Sequence, residues 1–426
     1  MLEALPMYQR IGSAAFKADL ENARKLDEIT GNPHKFYKTI HVAGTNGKGS
    51  VSHMLASVLQ HSGYKVGLYT SPHLLDFRER IRINGKKINK EFIIKFIQRN
   101  MCFFELIKPS FFEMSVFMAF CYFKINKVDI AVIETGLGGR LDTTNVINPI
   151  VSVITNIGFD HTHILGNSLK VIAKEKAGII KPEVPVVIGE TDAATFNVFE
   201  SRASLMQSPI YYADQEFQFG HALKTANSTV NFSFVNNNKV IEVETDLLGN
   251  YQYKNIATCL KTIEIVNERM PVFSGALEQG LKSVRKSTGI IGRWHEYSFN
   301  PLVICDIAHN REGLTEVLAQ IYNIPHKKLH FVLGFVDDKN LDEILTLFPK
   351  DANYYFTRAT VQRSHSPELV NEVGMKHGIQ GQIFQDVNEA FQMAMNSAGV
   401  NDMIYIGGST FVVADFLASE KKLKKF

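Results

Sequence analysis

The chain has 426 residues, of which 45% are hydrophobic and 21% are charged, and these fractions are those of an ordinary globular protein. A formal net charge of only +3 excludes a broad nucleic-acid-binding surface. The four cysteines, Cys102, Cys121, Cys259 and Cys305, lack the CxxC spacing of a zinc site, so we expect buried, reduced thiols and a cytoplasmic protein. We see no signal peptide, and the most apolar stretch, Phe111 to Phe123, is too short to span a membrane.

Residues 37–69 predict a β-loop-α-β unit. Thr39 to Val42 form a short apolar run, and a glycine-rich turn follows at Gly44 to Gly49. Ser50 to Gln60 then carry apolar residues at helical spacing, and Val66 to Tyr69 begin a second strand. This order favours a parallel sheet with right-handed crossovers.

The same alternation continues along the chain. We predict strands at 129–133, 150–155 and 184–188, helices at 169–179 and 251–267, and a β-hairpin around Asn236 to Asn238. After Trp294 a new series begins, with strands at 302–305, 329–333, 354–357 and 403–406. Helices are predicted at 313–322, 341–347 and 411–417, and the basic run at 421–425 predicts a solvated tail.

The fold class is therefore predicted to be α/β, with two domains. Residues 1–295 would form a P-loop-containing parallel-sheet domain with a β-rich appendage. Residues 296–426 would form a smaller, Rossmann-like α/β domain.

The segment HVAGTNGKGS, His41 to Ser50, is typical of a phosphate-binding loop between a strand and a helix. Glycines let several N–H groups approach one anion, and the helix N-terminus adds partial positive charge. Lys48 would supply a full charge for the phosphates, and the Ser50 hydroxyl would serve a magnesium ion. The spacing departs from GxxxxGK[ST], because Gly49 is inserted before Ser50. The alternative is a tight glycine turn with an exposed lysine.

Further polar residues follow other predicted strands. Some of them have a plain structural alternative: Glu134 as a strand-end ion-pair partner, a histidine in a structural role, or one lysine of the pair simply at the surface. They are Glu134; Asp160, His161 and His163; Lys174 and Lys176; and, after the junction residue Arg293, Asp306, His309 and Asn310.

Together these segments resemble the dihydrofolate synthase/folylpolyglutamate synthase family of the Mur ligase superfamily. The resemblance runs from about Gly12 to Phe411 and depends on the combination of motifs in order. The motifs are HVAGTNGKGS, YTSPHLLDFRERIRING, FFE, GLGGRLDTTN, DHTHILG, EKAGIIK, LLGNYQYKN, GR, DIAHN and GGS.

The resemblance implies a role for each matching position. ATP would be held by Gly44, Thr45, Asn46, Gly47, Lys48, Gly49 and Ser50 and, across the domain cleft, by Asn255, Arg293, Asp306 and His309. Two magnesium ions would be ligated by Ser50, Ser71, Glu134, His161 and Lys176 as a carbamate. The catalytic set would be Lys48, Glu134, His161 and Lys176. The pterin would contact Ser110, Phe111, Phe112, Glu113, Leu141, Asp142 and Thr143, unless Phe112 is core and Asp142 only caps a turn.

Some positions depart from the family pattern. Ile307 stands where the family has glycine, Arg311 replaces a proline, and Val116 replaces a common threonine. The late proline-arginine pair is Gln362-Arg363. These departures concern the shape of the glutamate and ATP pockets rather than the reaction class.

The implied reaction is ATP-dependent addition of L-glutamate to dihydropteroate and to the glutamate tail of reduced folates, through an acyl phosphate. We expect a cytoplasmic monomer whose partners are these small molecules, with neither nucleic acid nor membrane. Three alternatives remain: folylpolyglutamate synthase activity only, a Mur ligase for peptidoglycan, and a nucleotide-switch binding protein.

Overall fold

The structure is a computed structural model that describes residues 19–225 and 228–423. The predicted N-terminal features before residue 19, including the first matched position Gly12, and the side chains of the basic C-terminal run lie outside the described residues. The described chain forms two compact units. The first comprises residues 19–247 and 252–290, and the second comprises residues 248–251 and 291–423.

The first unit contains an eight-stranded sheet in the order β4-β3-β2-β5-β1-β6-β7-β8. The strands are β1 (Lys38–Ala43), β2 (Val66–Tyr69), β3 (Ile81–Ile83), β4 (Lys86–Lys87), β5 (Ile130–Glu134), β6 (Val151–Ile154), β7 (Val186–Ile188) and β8 (Ile210–Tyr212). Strands β2 and β5 to β8 run parallel with β1, as the sequence predicts. The β3–β4 hairpin is an exception, because it adds to the edge of the sheet in antiparallel fashion.

Helices of the first unit pack around this sheet. They are α1 (Glu21–Ile29), α2 (Lys48–His61), α3 (Lys90–Ile107), α4 (Phe111–Ile125), α5 (Thr162–Leu165), α6 (Leu169–Ala177), α7 (Phe196–Met206), α8 (Ala213–Glu216), α9 (Gln252–Asn267), α10 (Ala276–Lys282) and α11 (Val284–Thr288). Among the described residues, short 3₁₀ helices lie at Pro33–Phe36, Phe77–Arg80 and Thr143–Val146. The buried apolar residues of β5 and α4 share one core cluster, which is why α4 is apolar on nearly every side.

The predicted β-rich appendage is a separate antiparallel sheet of β9 (Gln218–Lys224), β10 (Val230–Asn236) and β11 (Lys239–Thr245). Asn237 and Asn238 connect β10 to β11 with φ angles of 48° and 61°. Asparagine tolerates this left-handed region, and two such residues in succession are typical of a tight hairpin turn. The predicted hairpin is therefore confirmed.

The second unit contains a six-stranded sheet in the order β12-β13-β17-β14-β15-β16. Its strands are β12 (His295–Phe299), β13 (Leu302–Cys305), β14 (Leu329–Leu333), β15 (Asn353–Phe356), β16 (Gly381–Ile383) and β17 (Met403–Gly407). Its helices are α12 (Arg311–Tyr322), α13 (Leu341–Leu345), α14 (Pro367–Lys376), α15 (Val387–Ser397) and α16 (Thr410–Leu423). Only β12 is antiparallel to its neighbour, so the predicted α/β architecture is confirmed.

The prediction about the cysteines is only half right. All four thiols are free, and Cys259 and Cys305 are buried. Cys121 is only partly buried, however, and Cys102 is exposed. Cys102 lies on α3, which has apolar residues on its exposed as well as its buried side. Apolar neighbours in the sequence therefore do not make Cys102 a buried residue.

Candidate active site

Polar residues of the first unit gather where four neighbouring strands end. In the sheet order β2-β5-β1-β6, Ser71 follows β2, Glu134 ends β5, the glycine loop follows β1, and His161 lies in the loop after β6. Carboxyl ends of parallel strands meet at one edge of a sheet, and that edge is where ligands of α/β proteins bind. The strand order therefore brings together segments that are far apart in sequence.

The glycine loop has a backbone conformation that strains residues other than glycine. Gly44 has φ of 148° and Gly47 has φ of 81°. A Cβ atom at Gly44 would lie 1.8 Å from Thr155 Oγ1, and one at Gly47 would lie 2.2 Å from Asn255 Oδ1. Helix α2 begins at Lys48, directly after this turn. The first N–H groups of α2 have no partners within the helix, so they are suited to bind an anion.

Two lysines meet at this loop. Lys48 Nζ donates to the carbonyl oxygens of Gly44 (2.9 Å) and Thr45 (3.0 Å), and Lys176 Nζ donates to Gly44 O as well (2.8 Å). Burial, together with the charge of Lys48, lowers the pKa of Lys176 to about 7, although Asp160 and Asp142 act in the opposite direction. Lys174, by contrast, is exposed, so the structure identifies which lysine of α6 belongs to the site.

Glu134 and Ser71 are in direct contact. The buried Glu134 carboxylate accepts a hydrogen bond from Ser71 N at 3.0 Å. His161 has φ of 50° and lies next to Asp160, with 3.8 Å between His161 Nε2 and Asp160 Oδ1. In the described part of the chain, no three His, Cys, Asp or Glu side chains converge as a ready metal site.

The donor chemistry nevertheless suits magnesium. Mg²⁺ prefers hard oxygen ligands and usually takes one or two carboxylates, with water and phosphate as the rest. Glu134 supplies a buried carboxylate and Ser50 a hydroxyl, which fits such a site. A charged Lys176 does not fit as a ligand, whereas its carbamate would.

Helix α9 supports the glycine loop through a residue to which the sequence analysis gave no role. The buried Gln252 donates from Nε2 to Ser50 Oγ (3.3 Å) and accepts from Asn255 Nδ2 (2.8 Å). Asn255 Oδ1 in turn faces Gly47. The LLGNYQYKN motif contains Gln252, so its position beside Asn255 was the available signal.

The Asp142 carboxylate accepts hydrogen bonds from its own loop. Its Oδ2 accepts from the backbone N–H groups of Gly136 and Leu137, both at 2.8 Å. Its Oδ1 accepts from Thr144 N (3.0 Å) and Thr144 Oγ1 (2.5 Å). A carboxylate has about four acceptor positions. Asp142 therefore caps its own turn, and burial raises the pKa of this carboxyl. Its contact with the pterin stays a prediction.

Ser110 and Glu113 also have a capping role. Ser110 Oγ accepts from Glu113 N (3.2 Å), and Ser110 N donates to Glu113 Oε2 (2.6 Å). This reciprocal capping box begins helix α4. The S-x-x-E spacing was present in the sequence, and it explains both residues without a ligand.

The two aromatic residues of FFE differ in their surroundings. Phe111 is buried in the core cluster of α4, and the guanidinium carbon of Arg80 lies 5.3 Å from its ring centre. Phe112 is only partly buried and packs on Tyr69, with 6.1 Å between ring centres. Its ring also covers Gly136, where a Cβ atom would lie 2.4 Å from Phe112 Cζ. Of the two, Phe112 is the one with part of its ring exposed, and contact of either ring with the pterin stays a prediction. Leu141 is partly buried, and Thr143 is buried beside Asp142.

In the second unit, Asp306 is the centre of a buried hydrogen-bond cluster. Its Oδ2 accepts from Tyr251 Oη and Trp294 N, both at 2.6 Å, and its Oδ1 accepts from Ala308 N at 2.8 Å. Burial raises the pKa of Asp306, while these hydrogen bonds and the charge of Arg293 oppose the rise. Tyr251 and Trp294 are further residues that the sequence analysis left without a role.

One departure from the family pattern, Ile307, directly follows Asp306. Ile307 packs on the apolar cluster of the second unit, and its N–H donates to Gly292 O at 3.1 Å. His309 Nδ1 lies 2.9 Å from Ile307 O, and Asn310 caps α12. Isoleucine at position 307 therefore keeps the strand-to-helix turn intact.

Two family models match the chain. The Mur ligase middle domain matches residues 42–263, and the glutamate ligase domain of Mur ligases matches residues 292–410. These matches define the chain as a Mur ligase. In the described residues, no helix is both long enough and apolar enough to cross a membrane.

Proteins of similar sequence identify the family of Mur ligases to which the chain belongs. The dihydrofolate synthase/folylpolyglutamate synthase of Bacillus subtilis (strain 168) is 31% identical over 428 residues, covering 96% of this chain and 95% of the relative. A probable bifunctional folylpolyglutamate synthase/dihydropteroate synthase of Haloferax volcanii is 30% identical over 411 residues, covering 94% of this chain but only 48% of that longer relative. Within the Mur ligases, the chain belongs to the dihydrofolate synthase/folylpolyglutamate synthase family, whose members are ATP-dependent ligases.

Solved structures agree with this family. FolC of Escherichia coli in complex with DHPP and ADP matches with a TM-score of 0.87 and 27% identity, covering 99% of this chain and 96% of that one. A bifunctional folylpolyglutamate synthase/dihydrofolate synthase with Mn, AMPPNP and L-glutamate bound matches with a TM-score of 0.84 and 28% identity, at the same coverage. This fold therefore binds an ATP analogue and a divalent metal in related proteins.

Proposed function

We propose that this protein joins L-glutamate to dihydropteroate and to the glutamate tail of reduced folates, with conversion of ATP to ADP and phosphate. The observation that carries the proposal is the meeting of Lys48 and Lys176 at Gly44 O, beside the strand end that bears Glu134. A phosphate loop, a buried carboxylate and a lysine of lowered pKa at one sheet edge suit phosphoryl transfer to a carboxylate.

The reaction would proceed in two steps. A substrate carboxylate oxygen attacks the γ-phosphorus of ATP. The bond from that phosphorus to the bridging oxygen breaks, so ADP leaves and an acyl phosphate forms. The amine of L-glutamate then attacks the acyl carbon, forms the amide and releases phosphate. Lys48 would turn from Gly44 O to the β- and γ-phosphates, where its charge stabilises the transferring group.

Ser50, Ser71, Glu134, His161 and carbamylated Lys176 would hold magnesium, which we propose binds as two ions. Bound metal would neutralise phosphate charge and orient the transferring group. The protein's own part is to hold the Glu134 carboxylate in place through the Ser71 N–H, and to hold the Ser50 hydroxyl in place through Gln252.

Carbamylation of Lys176 is the chemical step that the site favours. A lysine whose pKa lies near 7 is partly neutral, and the neutral amine is the form that attacks CO₂. The product carries negative charge in place of the ammonium, so repulsion between Lys176 and Lys48 becomes attraction. The same change of sign would make position 176 a metal ligand.

The remaining assignments follow the family pattern. We propose that Asn255, Arg293, Asp306 and His309 contact ATP, and that Phe112, Leu141, Asp142 and Thr143 contact the pterin. Asp142 could contact the pterin only by giving up a hydrogen bond from its own loop and accepting one from the pterin instead. We further propose that the protein is a monomer in the cytoplasm, because that reducing compartment would keep its four free thiols reduced.

The test is a set of ADP-release and product assays on purified protein. Multiple-turnover ADP release should require Mg-ATP, a pterin or folate carboxylate, and L-glutamate together, and dihydropteroate should yield dihydrofolate. If tetrahydrofolate is extended but no dihydrofolate forms, the protein is a folylpolyglutamate synthase only. ADP release without glutamate or a folate substrate would contradict the ligase proposal.

A further inference from the structure

The buried histidine at the start of the HVAGTNGKGS motif is not used by the proposed mechanism. His41 lies in the middle of β1, is fully buried, and has its Nε2 2.8 Å from Thr144 Oγ1. Among the described residues, its Nδ1 has no hydrogen-bond partner. Thr144 is also fully buried, in the short helix that follows Asp142.

The hydrogen bonds around Thr144 indicate which nitrogen of His41 carries the proton. The Thr144 hydroxyl has one hydrogen, and it lies 2.5 Å from Asp142 Oδ1, an acceptor that also takes Thr144 N–H. Thr144 Oγ1 must then accept from His41, which places the proton on Nε2. The opposite tautomer would leave a buried N–H donor at Nδ1 without a partner, which is more costly than an unpaired lone pair.

Burial keeps this imidazole neutral. It lowers the pKa of His41 to about 3, and the nearby Lys181 ammonium acts in the same direction. Lys181 itself is held by Asn145 O at 2.8 Å. A neutral ring with a single donor forms one directed hydrogen bond, so His41 serves as a fixed support from the central strand.

That support reaches the substrate side of the site. His41 holds Thr144, Thr144 holds Asp142, and Asp142 holds the N–H groups of Gly136 and Leu137. Gly136 in turn lies under the Phe112 ring. A shift of the loop at Gly136 would therefore move the aromatic residue that we place against the pterin.

We infer that His41, as its neutral Nε2–H tautomer, is a positioning residue that holds the 136–144 loop, and thereby Phe112, in place for the pterin substrate. The part about substrate rests on the proposed function. The part about the loop rests only on the geometry.

The first experiment compares substitutions at position 41. His41→Met keeps the volume but removes the donor, so KM for dihydropteroate should rise about fivefold to tenfold, the effect of about one lost hydrogen bond. KM for ATP and kcat should stay nearly unchanged. His41→Gln, whose amide nitrogen can reach the Nε2 position, should restore the low KM, whereas the shorter His41→Asn should not. Equal effects on both KM values, or no rescue by glutamine, would overturn the inference.

A matched control is available in the same unit. His53 is another buried histidine, and its Nδ1 lies 2.7 Å from Thr288 Oγ1. The Thr288 hydroxyl, however, donates its hydrogen bond to Val284 O and not to the 136–144 loop. His53→Met should therefore leave KM for dihydropteroate unchanged. If it raises that KM as His41→Met does, general loosening explains the result and the inference is wrong.

A second measurement does not need activity. The ¹⁵N spectrum of labelled histidines, assigned by difference with His41→Gln, should show His41 protonated at Nε2 only from pH 5 to pH 9. Amide hydrogen exchange at Gly136 and Leu137 should become about tenfold faster in His41→Met. A proton on Nδ1, or unchanged exchange, would overturn the inference. If dihydropteroate is not a substrate of the wild-type protein, the proposed function fails while these two readouts still decide the role of His41.

Discussion

Lys48 and Lys176 direct their ammonium groups at one acceptor, with Nζ atoms 2.9 Å and 2.8 Å from the carbonyl oxygen of Gly44. Two cations at one oxygen repel each other, and the buried Lys176 has no water to screen that repulsion. Three changes relieve it: Lys176 loses its proton, Lys176 becomes a carbamate, or Lys48 moves to a bound phosphate. This repulsion at the glycine loop therefore favours both nucleotide binding and carbamylation of Lys176.

Lys48→Ala should abolish ligase turnover, because the γ-phosphate loses the mobile positive charge nearest to it. The measurement is steady-state ADP release with all three substrates present. Lys174→Ala is the matched control and should have full activity, since Lys174 is an exposed lysine on the helix that bears Lys176. Turnover of Lys48→Ala within tenfold of wild type would exclude this role.

Lys176→Ala should lose most activity, and formate or acetate should restore part of it by taking the place of the carbamate. Intact protein from CO₂-saturated buffer should carry an added CO₂ at Lys176, as seen by carbon-13 NMR. Because the neutral amine reacts, recovery of CO₂-depleted enzyme should quicken as pH rises through about 7. Full activity of Lys176→Ala, or an unmodified lysine in the metal-loaded enzyme, would contradict the carbamate.

Unmodified Lys176 should also make stability depend on pH. Its pKa is about 7 in the folded chain and near 10.5 when exposed, so between those values the unfolded chain binds more protons and stability rises with pH. Below pH 7 the full cost of the buried charge remains. Lys176→Met should therefore raise the melting temperature of CO₂-free protein at pH 6 by several degrees, reflecting a few kcal/mol. This advantage should shrink towards pH 10, and a constant difference across the range would be inconsistent with a titrating Lys176.

Asp142→Ala should lower dihydrofolate synthase activity more than glutamate addition to tetrahydrofolate, if the carboxylate exchanges a loop hydrogen bond for the pterin. Product assays with the two substrates measure the ratio. Asp386→Ala, which removes a helix cap on α15, controls for the loss of a capping aspartate. Equal loss of both activities would leave Asp142 with capping as its only role.

Tyr251→Phe should destabilise the second unit by about 1–3 kcal/mol, because the buried Asp306 loses its hydroxyl donor. KM for ATP should rise as well, if Asp306 contacts the nucleotide. Thermal unfolding and ATP titration measure the two effects. Tyr322→Phe is the control, since Tyr322 is a half-exposed tyrosine of the same unit whose hydroxyl has only a 3.5 Å contact with Leu347 O.

Much of the fold could be predicted because its elements are local and strongly patterned. The apolar runs at 66–69 and 302–305 became strands with the predicted limits, since a continuous apolar run buried on both faces has few other solutions. The β3–β4 hairpin was missed because it is short and carries arginine and lysine. Pairing at a sheet edge depends on what the neighbouring strand leaves open rather than on composition.

The sequence by itself determined the phosphate loop, since its glycines at positions 44 and 47 suit backbone conformations that L side chains rarely adopt. It also contained the Ser110–Glu113 capping box, and contact of these two residues with the pterin stays a prediction. Only the tertiary structure decided that Lys176, and not Lys174, reaches Gly44 O from 132 positions away, and that His41 supports Asp142 through Thr144. Strand order sets these distances, because parallel β1, β5 and β6 bring their carboxyl ends together however long the intervening chain is.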